Sequence, residues 1–395
     1  MSGSSLSAAL IVRDEEAVLP HVLADLRDLA EEIVVVDTGS ADSTVELARR
    51  SGALVFHYEW KDDFASARNY SFERCSGDWI IWVDADDRIP KSSQMAMCEA
   101  KKQFAEMTAD ALYVPYRLRY ADESESSFIG CNNRVRIVRR SRGFQWRGRI
   151  HEALHGGNVE TARVLDAWVE HRPLADSTRG KLSRDRRILE NVIRGGERSA
   201  SSLLHYGLLL ANYGEFESAL AILEECLVVC GDVGPRYVAM MVADSCLAEM
   251  GDIRRRLNYL YDATRLDSSR AEAFLELGHV HALLGRYRSA IPLFGAALAA
   301  SPPAEGSYSV PAYSWAPLVG LARSSWQVGE REEALHLLDR AAEVAPHRTR
   351  EFIRIAEELR AGAGEARSRS LAREPNFGYG ADDAGREHTP LAGRL

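Results

Sequence analysis

The chain has 395 residues, of which 46% are hydrophobic and 27% are charged, so it has enough apolar material for about two compact domains. Its formal net charge of -9 argues against a protein that coats DNA or RNA, because such proteins carry basic faces. We therefore expect no nucleic-acid partner. No apolar run reaches the ~20 residues that span a bilayer, so we also expect no transmembrane segment.

The N-terminus and the cysteines favour a cytoplasmic location. The first residues lack a basic stretch, and the short apolar run that ends at Val12 is followed at once by charged residues, which predicts a first strand and not a signal peptide. The six cysteines include no CxxC pair and therefore fit a reduced cytosol.

Short β-rich runs alternate with helical stretches at the start of the chain. The predicted strands are Ser7–Val12, Ile33–Asp37, Leu54–Tyr58 and Trp79–Asp84. The predicted helices are Leu19–Leu29, Ser43–Arg50 and a segment that ends near Cys75, with Asp62 or Asp63 as its cap. This β-α-β-α-β-α-β order predicts a parallel, doubly wound sheet with helices on both faces.

The pattern changes after the next predicted helix, Lys91–Met107. Three further strands are expected to extend the sheet in mixed sense, namely Ala111–Tyr120, Phe128–Arg140 and Val164–His171. A charged helix, Thr178–Ile193, then leads to two glycines that form a plausible hinge, so we predict that a first domain covers residues 1–196.

The second half of the chain is helical and repetitive. Gly214, Gly251, Gly285 and Gly329 each precede a second helix and are spaced by 37, 34 and 44 residues. Together with the unit Ala271–Pro303, this spacing resembles the tetratricopeptide repeat, a helix-turn-helix unit of 34 residues. We predict helical repeats over residues 197–361 and a poorly ordered tail over residues 362–395, which are rich in Gly, Arg, Ser and Asp.

Acidic residues follow two of the predicted strands. Asp37 ends one strand, and Asp84, Asp86 and Asp87 occupy three of four positions after another. Ligands bind outside the carboxyl ends of strands in such sheets, and an acidic cluster suits Mg²⁺ or Mn²⁺, because close carboxylates repel each other unless a cation or hydrogen-bond donors compensate. For Asp37 alone, a turn or helix-capping role explains the residue equally well.

Four segments occur in a characteristic order: ALIVRDEE, IVVVDTGSADST, HYEWKDDFASARNYSFERCSGDWIIWVDADD and WRGRIHEAL. Over about residues 5–175 the chain thereby resembles the family 2 glycosyltransferases, and among these the bacterial lipopolysaccharide-core glucosyltransferases and glycocin S-glycosyltransferases. The resemblance implies an α/β GT-A domain with a Rossmann-like mixed sheet, followed here by an all-α domain of tetratricopeptide repeats.

The resemblance also implies the site. It assigns nucleotide-sugar binding to Val12, Arg13, Asp37, Arg68, Asp84, Ala85 and Asp86. By analogy, Asp37 binds the base, Arg68 lies by the base or the diphosphate, Asp84 reaches the ribose, and Asp86 ligates the metal ion.

The segment IHE adds a further metal ligand, His151, and a candidate general base, Glu152. Arg147 or Arg149 is a candidate to stabilise the departing diphosphate. The sequence departs from the family where RDEE replaces KNEE, so that Asp14 stands for Asn, and this puts a nucleotide contact there in doubt.

The function that follows from the resemblance is metal-dependent, inverting sugar transfer from a nucleotide sugar, with UDP as the family's commonest nucleotide and Mn²⁺ or Mg²⁺ as cofactor. If the repeats bind the acceptor, a peptide or protein acceptor is expected. If they mediate assembly, for example of a homodimer, the acceptor can be a lipid-linked or small natural-product sugar. An alternative interpretation is a tetratricopeptide adaptor with a degenerate sugar-nucleotide domain. A nucleotidyltransferase would need a glycine-rich loop after the first strand, and RDEE offers none.

Overall fold

The computed structural model describes residues 4–119, 128–156, 161–163, 166–172 and 178–362. The chain divides into two compact units, the first comprising residues 1–119 and 132–196 and the second residues 120–131 and 197–395. The division lies after Gly196, where the sequence analysis places the domain boundary, and it adds residues 120–131 to the second unit.

The first unit is built on a mixed β-sheet. Its strands are β1 (Leu6–Val12), β2 (Glu32–Asp37), β3 (Leu54–His57), β4 (Trp79–Trp82), β5 (Asp87–Arg88), β6 (Ala111–Arg119), β7 (Phe128–Arg139), β8 (Gln145–Arg147), β9 (Ala153–His155), β10 (Thr161–Arg163) and β11 (Val169–His171). The main sheet has the order β3-β2-β1-β4-β7-β6-β11-β5, and β10 pairs with β6. The first four strands are parallel, whereas β4 and β7 are antiparallel, which confirms the predicted mixed sheet.

The parallel strands bring the predicted acidic residues to one edge of the sheet. Val34, Val35 and Val36 are fully buried, which explains why this β-branched run forms a central strand. In the register, Val12 lies opposite Asp37. The carboxyl ends of β1, β2 and β4 therefore meet at the edge where a ligand is expected.

Five helices complete the described part of this unit: α1 (Leu19–Leu26), α2 (Thr44–Arg50), α3 (Phe64–Arg74), α4 (Lys91–Lys101) and α5 (Thr178–Arg194). Of the two candidate caps of α3, Asp63 is the one observed, since its side chain accepts a hydrogen bond from the backbone N–H of Ser66 at 2.9 Å. Helix α4 ends before Met107, the predicted end.

Short strands account for most differences from the predicted elements. Strands β8 and β9 form an antiparallel hairpin within a segment for which no strand is predicted. The predicted strand Val164–His171 is observed only as β11, and residues 164–165 lie outside the described residues.

The second unit contains helical hairpins. Its described helices are α6 (Ala200–Asn212), α7 (Phe216–Val229), α8 (Val233–Glu249), α9 (Ile253–Leu266), α10 (Ala271–Leu283), α11 (Tyr287–Ala299), α12 (Ala316–Gln327), α13 (Arg331–Val344) and α14 (Thr349–Arg360). Each of the first four pairs turns at one of the four predicted glycines, and all four glycines have positive φ, a conformation that favours glycine after a helix end. The predicted helical repeats are therefore confirmed.

Gly285 and Gly329 are separated by 44 residues, the longest of the three spacings, because a segment is inserted between α11 and α12. It forms a strand, β12 (Gly306–Ser309), and Glu272 of α10 accepts hydrogen bonds from the Ser309 N–H at 3.2 Å and the Tyr313 hydroxyl at 3.0 Å. The N–H of Val310 donates to the carbonyl of Ile129 at 3.2 Å, which explains why residues 128–131 cluster with the second unit.

Three observations bear on the predictions about membrane spans, cysteines and the C-terminal tail. No helix in the described residues is long and apolar enough to cross a membrane. All six cysteines are free thiols. Apart from Gly362, the predicted tail lies outside the described residues.

Candidate active site

The fold brings together the ARN and IHE segments that the sequence analysis singles out. Asn69 of α3 donates a side-chain hydrogen bond to the carbonyl of Trp146 at 3.0 Å and accepts one from its N–H at 2.8 Å. These two bonds attach strand β8 to helix α3. The hairpin formed by β8 and β9 consequently places Glu152 next to Arg68.

Arg68 connects two carboxylates that are distant in sequence. Its Nε donates to Glu152 at 2.5 Å, and its Nη2 donates to Asp84 at 2.7 Å. The guanidinium carbon lies 4.9 Å and 5.1 Å from the ring centroids of Trp82 and Trp146, which fix it by cation–π contacts. Three residues from separate sequence motifs therefore form one partly buried, charge-paired cluster.

This ion pairing determines the charge states. Burial acts to raise the pKa of Asp84, but the positive charge of Arg68 outweighs it and holds that pKa well below the usual range. For Arg68, burial acts in the opposite direction, and the charges of Asp84 and Glu152 raise its pKa. Asp84 is therefore an anion and Arg68 a cation at neutral pH.

Asp87 supports the acidic turn from within the core. It is fully buried, as is Arg136, which donates to its carboxylate at 2.9 Å. The same carboxylate accepts the N–H of Asp84 at 2.9 Å, and its other oxygen accepts the Tyr116 hydroxyl at 2.9 Å. Because Asp84 and Asp87 each have an arginine partner, repulsion within the acidic cluster does not by itself require a metal ion.

A candidate metal site nevertheless lies beside this turn. One ligand atom from each of Asp86, Asp87 and His171 lies within 4.8 Å of the others, and the His171 Nδ1 is 3.6 Å from Asp86 and 3.8 Å from Asp87. That Nδ1 is buried without a hydrogen-bond partner in the described part of the chain. Burial acts to lower the pKa of His171, but the carboxylates of Asp87 and Asp86 raise it, so the position favours a cation.

His151 is not a member of this group of potential ligands. It is exposed, has a positive φ of 51°, and lies in the turn of the hairpin directly before Glu152. The structure thus brings His171, and not His151, to Asp86. Arg147 and Arg149, the predicted diphosphate contacts, are exposed in the same hairpin.

The remaining predicted nucleotide contacts lie at the carboxyl ends of β1 and β2. Asp37 is buried, and its carboxylate accepts the N–H groups of Gly39 at 3.2 Å and Ser40 at 3.1 Å. The turn role left open for Asp37 is therefore present, and its contact with a nucleotide base stays a prediction. Because β1 separates β2 from β4, Asp37 is about 10 Å along the edge from the strand that ends before Asp84.

The other three predicted contacts differ in accessibility. The carbonyl of Val12 already accepts the N–H and hydroxyl of Thr38, at 2.9 Å and 3.1 Å. Ala85 is buried in the acidic turn, whereas Arg13 is exposed and its Nε lies 3.8 Å from Asp14.

Sequence reasoning misses four polar residues around the acidic turn: Tyr116, Arg134, Arg136 and His171. One signal is available for His171, because it is the last residue of a predicted strand. The other three lie on the interior of predicted strands, where the pairing partner that brings them to the site cannot be identified from a local pattern.

Comparison with known proteins identifies a family for this part of the chain. Residues 7–156 match the family model described as glycosyl transferase family 2. The first unit of the chain therefore contains a glycosyltransferase family 2 domain, and tetratricopeptide-like helical repeats follow it.

Three curated relatives illustrate the similarity. The TPR repeat-containing protein Synpcc7942_0270 of Synechococcus elongatus is 28% identical over 57% of this chain and 57% of its own length. The SPbeta prophage-derived glycosyltransferase SunS of Bacillus subtilis is 22% identical over 56% of this chain and 53% of its own length. The lipopolysaccharide core biosynthesis glycosyltransferase LpsC of Rhizobium meliloti is 30% identical over 43% of this chain and 64% of its own length. The chain thus spans about half the length of the first curated relatives it matches.

Proposed function

We propose that the protein is a metal-dependent, inverting glycosyltransferase that moves a sugar from a nucleotide-sugar donor to an acceptor. The observation that carries this proposal is the Asp84–Arg68–Glu152 cluster, which adjoins Asp86 and His171 at the carboxyl edge of the sheet. The match to a family 2 model over the same residues supports it. An adaptor with a degenerate domain would have no need to keep this buried arrangement of charges.

The donor set beside the turn fits a divalent cation. Two carboxylates and the buried Nδ1 of His171 supply oxygen and nitrogen ligands. This combination suits Mn²⁺, whereas Mg²⁺ prefers oxygen ligands alone. Asp86 and His171 would hold the ion, because Asp87 already accepts hydrogen bonds from Arg136 and Tyr116. When bound, such an ion neutralises charge on a leaving diphosphate.

The residues of the chain have distinct roles in this proposal. Asp37 and Asp84 orient the nucleoside, with the base toward β2 and the ribose toward β4. Glu152 removes the proton of the acceptor as the acceptor attacks the anomeric carbon from the face opposite the leaving group. To do so, it must exchange its present hydrogen bond with Arg68 for one with the acceptor.

The acceptor and the partners are open proposals. The name of LpsC, which refers to lipopolysaccharide core biosynthesis, supports a small glycan acceptor, whereas the helical repeats suit an extended peptide or protein. We keep UDP as the preferred nucleotide, a homodimer formed through the repeats, and a cytoplasmic location as predictions.

A hydrolysis screen with UDP-, GDP- and dTDP-sugars tests the proposed function. We expect the full chain to release the nucleoside diphosphate from at least one donor when Mn²⁺ is present, and to lose this activity with EDTA. Asp86→Asn should abolish the metal-dependent rate, because the amide removes a charged ligand. Normal turnover by this variant would overturn the metal assignment, and no turnover of any donor by the wild type would count against the function.

A further inference from the structure

Arg134 lies on β7, the strand that pairs with β4 beside the candidate site. Side chains alternate along a strand, so Arg134 projects from the same face as Arg136, two residues later. Arg136 reaches Asp87, and β7 runs antiparallel to β4 with Ile137 opposite Ile81. Moving back along β7 from Arg136 to Arg134 therefore leads toward the carboxyl end of β4, where the acidic turn begins.

The side chain of Arg134 packs on a ring that is itself part of the site. Its guanidinium carbon lies 5.1 Å from the ring centroid of Tyr116. The hydroxyl of Tyr116 donates to Asp87 at 2.9 Å, and the ring centroid of His171 is 5.6 Å from that of Tyr116. One aromatic ring thus contacts Arg134, a buried acidic residue and a candidate metal ligand.

Arg134 differs from the neighbouring arginines in its partners. Arg68 and Arg136 both donate hydrogen bonds to carboxylates. Within the described residues, Arg134 has no hydrogen bond or ion pair, and the ring of Tyr116 is its close contact. Burial lowers the pKa of Arg134, and the nearby charge of Arg136 lowers it further. Burying a guanidinium costs free energy when no carboxylate is bonded to it, as is the case for Arg134 in the described part of the site. An anion that binds there would offset this cost.

We propose that Arg134 binds the diphosphate of the nucleotide-sugar donor and stabilises it as the leaving group. This inference rests on the proposed function. A guanidinium can donate two parallel hydrogen bonds to phosphate oxygens, a geometry that suits a diphosphate held beside Asp86 and His171.

The charge balance of the transfer step gives Arg134 its role. The bond between the anomeric carbon and the diphosphate oxygen breaks, and its electron pair remains on that oxygen. The acceptor atom forms the new bond to the anomeric carbon, and its proton passes to Glu152. Negative charge therefore grows on the diphosphate, where a fixed guanidinium lowers the barrier. The diphosphate contact predicted from the sequence for Arg147 or Arg149, which are exposed in the hairpin, stays a separate prediction.

Calorimetric titration of the full chain in the presence of Mn²⁺ tests this assignment. The ligands are UDP, GDP and dTDP, and the matching nucleosides that lack phosphate. We expect Arg134→Gln to weaken binding of the best nucleoside diphosphate by about tenfold or more, because a charged hydrogen bond is lost, while nucleoside binding stays unchanged. Arg134→Lys should give an intermediate loss, which distinguishes a charge contact from general unfolding.

One further variant makes the result specific. Arg50→Gln, at an exposed arginine of α2, controls for removal of a surface charge. If Arg134→Gln binds the diphosphate with wild-type affinity, the inference is wrong while the proposed function stands. If the wild type binds none of the three diphosphates, both are overturned.

Discussion

The side chain of Arg68 shows how a single residue organises the candidate site. It is nine-tenths buried, yet it keeps its charge because two carboxylates and two tryptophan rings surround it. Removal of either carboxylate would leave the buried guanidinium only partly compensated, which costs several kcal/mol. The cluster is therefore a fixed set of charges at the sheet edge and suits the recognition of a charged donor.

The two histidines considered as metal ligands, His171 and His151, can be compared directly by substitution. We expect His171→Ala to weaken Mn²⁺ binding by at least about tenfold, because it removes the nitrogen ligand next to Asp86. His151→Ala should leave Mn²⁺ affinity within about twofold of the wild type, since its side chain is outside the ligand group. Titration of Mn²⁺ followed by electron paramagnetic resonance measures both affinities. The opposite order would favour His151 as the metal ligand.

The helical repeats depend on close packing between the two helices of each hairpin. The residues seven positions before and five positions after each turn glycine are buried in all four hairpins. In three hairpins these residues are small, namely Gly207 and Ala219, Gly278 and Ala290, and Ala322 and Ala334. In the second hairpin they are Asp244 and Arg256, which form two hydrogen bonds of 2.8 Å and 3.1 Å. A buried ion pair thus occupies the positions at which the other hairpins have small residues.

The small residue at Gly278 gives a prediction with a matched control. A Cβ atom there would lie 2.5 Å from the ring of Phe294, so Gly278→Ala should destabilise the protein by about 1–3 kcal/mol. Gly295 lies inside α11, where an added Cβ would meet no atom within 4 Å, and Gly295→Ala should stabilise by about 0.5–1 kcal/mol through helix propensity. Urea unfolding followed by circular dichroism compares the two variants. Equal effects would contradict the close-contact explanation.

The ion pair in the second hairpin also links two repeats. Arg256 donates to Asp244 and, at 2.8 Å, to Glu276 of the next hairpin. Arg256→Ala removes the arginine partner of both buried carboxylates and should cost about 3–5 kcal/mol. The double variant Asp244→Ala/Arg256→Ala should lose less than the single Arg256→Ala variant, because it recreates the small pair of the other hairpins.

A double-mutant cycle on urea unfolding measures this coupling. If the effects of the two substitutions on the free energy of unfolding are additive, the ion pair does not act as a unit.

The elements differ in how far they can be predicted from the sequence. Those with a pattern within a continuous segment are predictable, whereas those that depend on distant residues or on very short segments are not. Strands β2 and β4 are predictable because each is a continuous buried run that ends near an aspartate, and the helical hairpins because their glycines recur. The β8–β9 hairpin has strands of three residues, too short for a periodic signal.

The same reason applies to the site. Asp84, Asp86 and Glu152 can be found from motifs, but Arg134 and His171 join them only through strand pairing across the sheet. Pairing of distant strands depends on the whole fold and leaves no mark in a short segment of sequence.

In the molecule as a whole, the residues of the candidate site all belong to the first unit. Arg68, the acidic turn, Glu152 and His171 all lie in residues 1–119 and 132–196. We expect a fragment of residues 1–196 to bind the preferred nucleoside diphosphate with Mn²⁺ within about threefold of the full chain. Residues 197–362 alone should show helical circular dichroism and no such binding.

Calorimetry on the two fragments checks this division of roles. Nucleotide binding that requires residues 197–362 would contradict the expected independence of the site.

In our proposal, Asp86 and His171 hold a divalent ion at the carboxyl edge of the sheet, where a nucleoside diphosphate binds. Anomalous diffraction from crystals of the full chain grown with MnCl₂ and UDP would reveal the position of that ion. We predict a manganese peak within bonding distance of Asp86 and His171, with the diphosphate beside Arg134. A peak at other residues, or ordered UDP with no manganese beside Asp86, would contradict the claim.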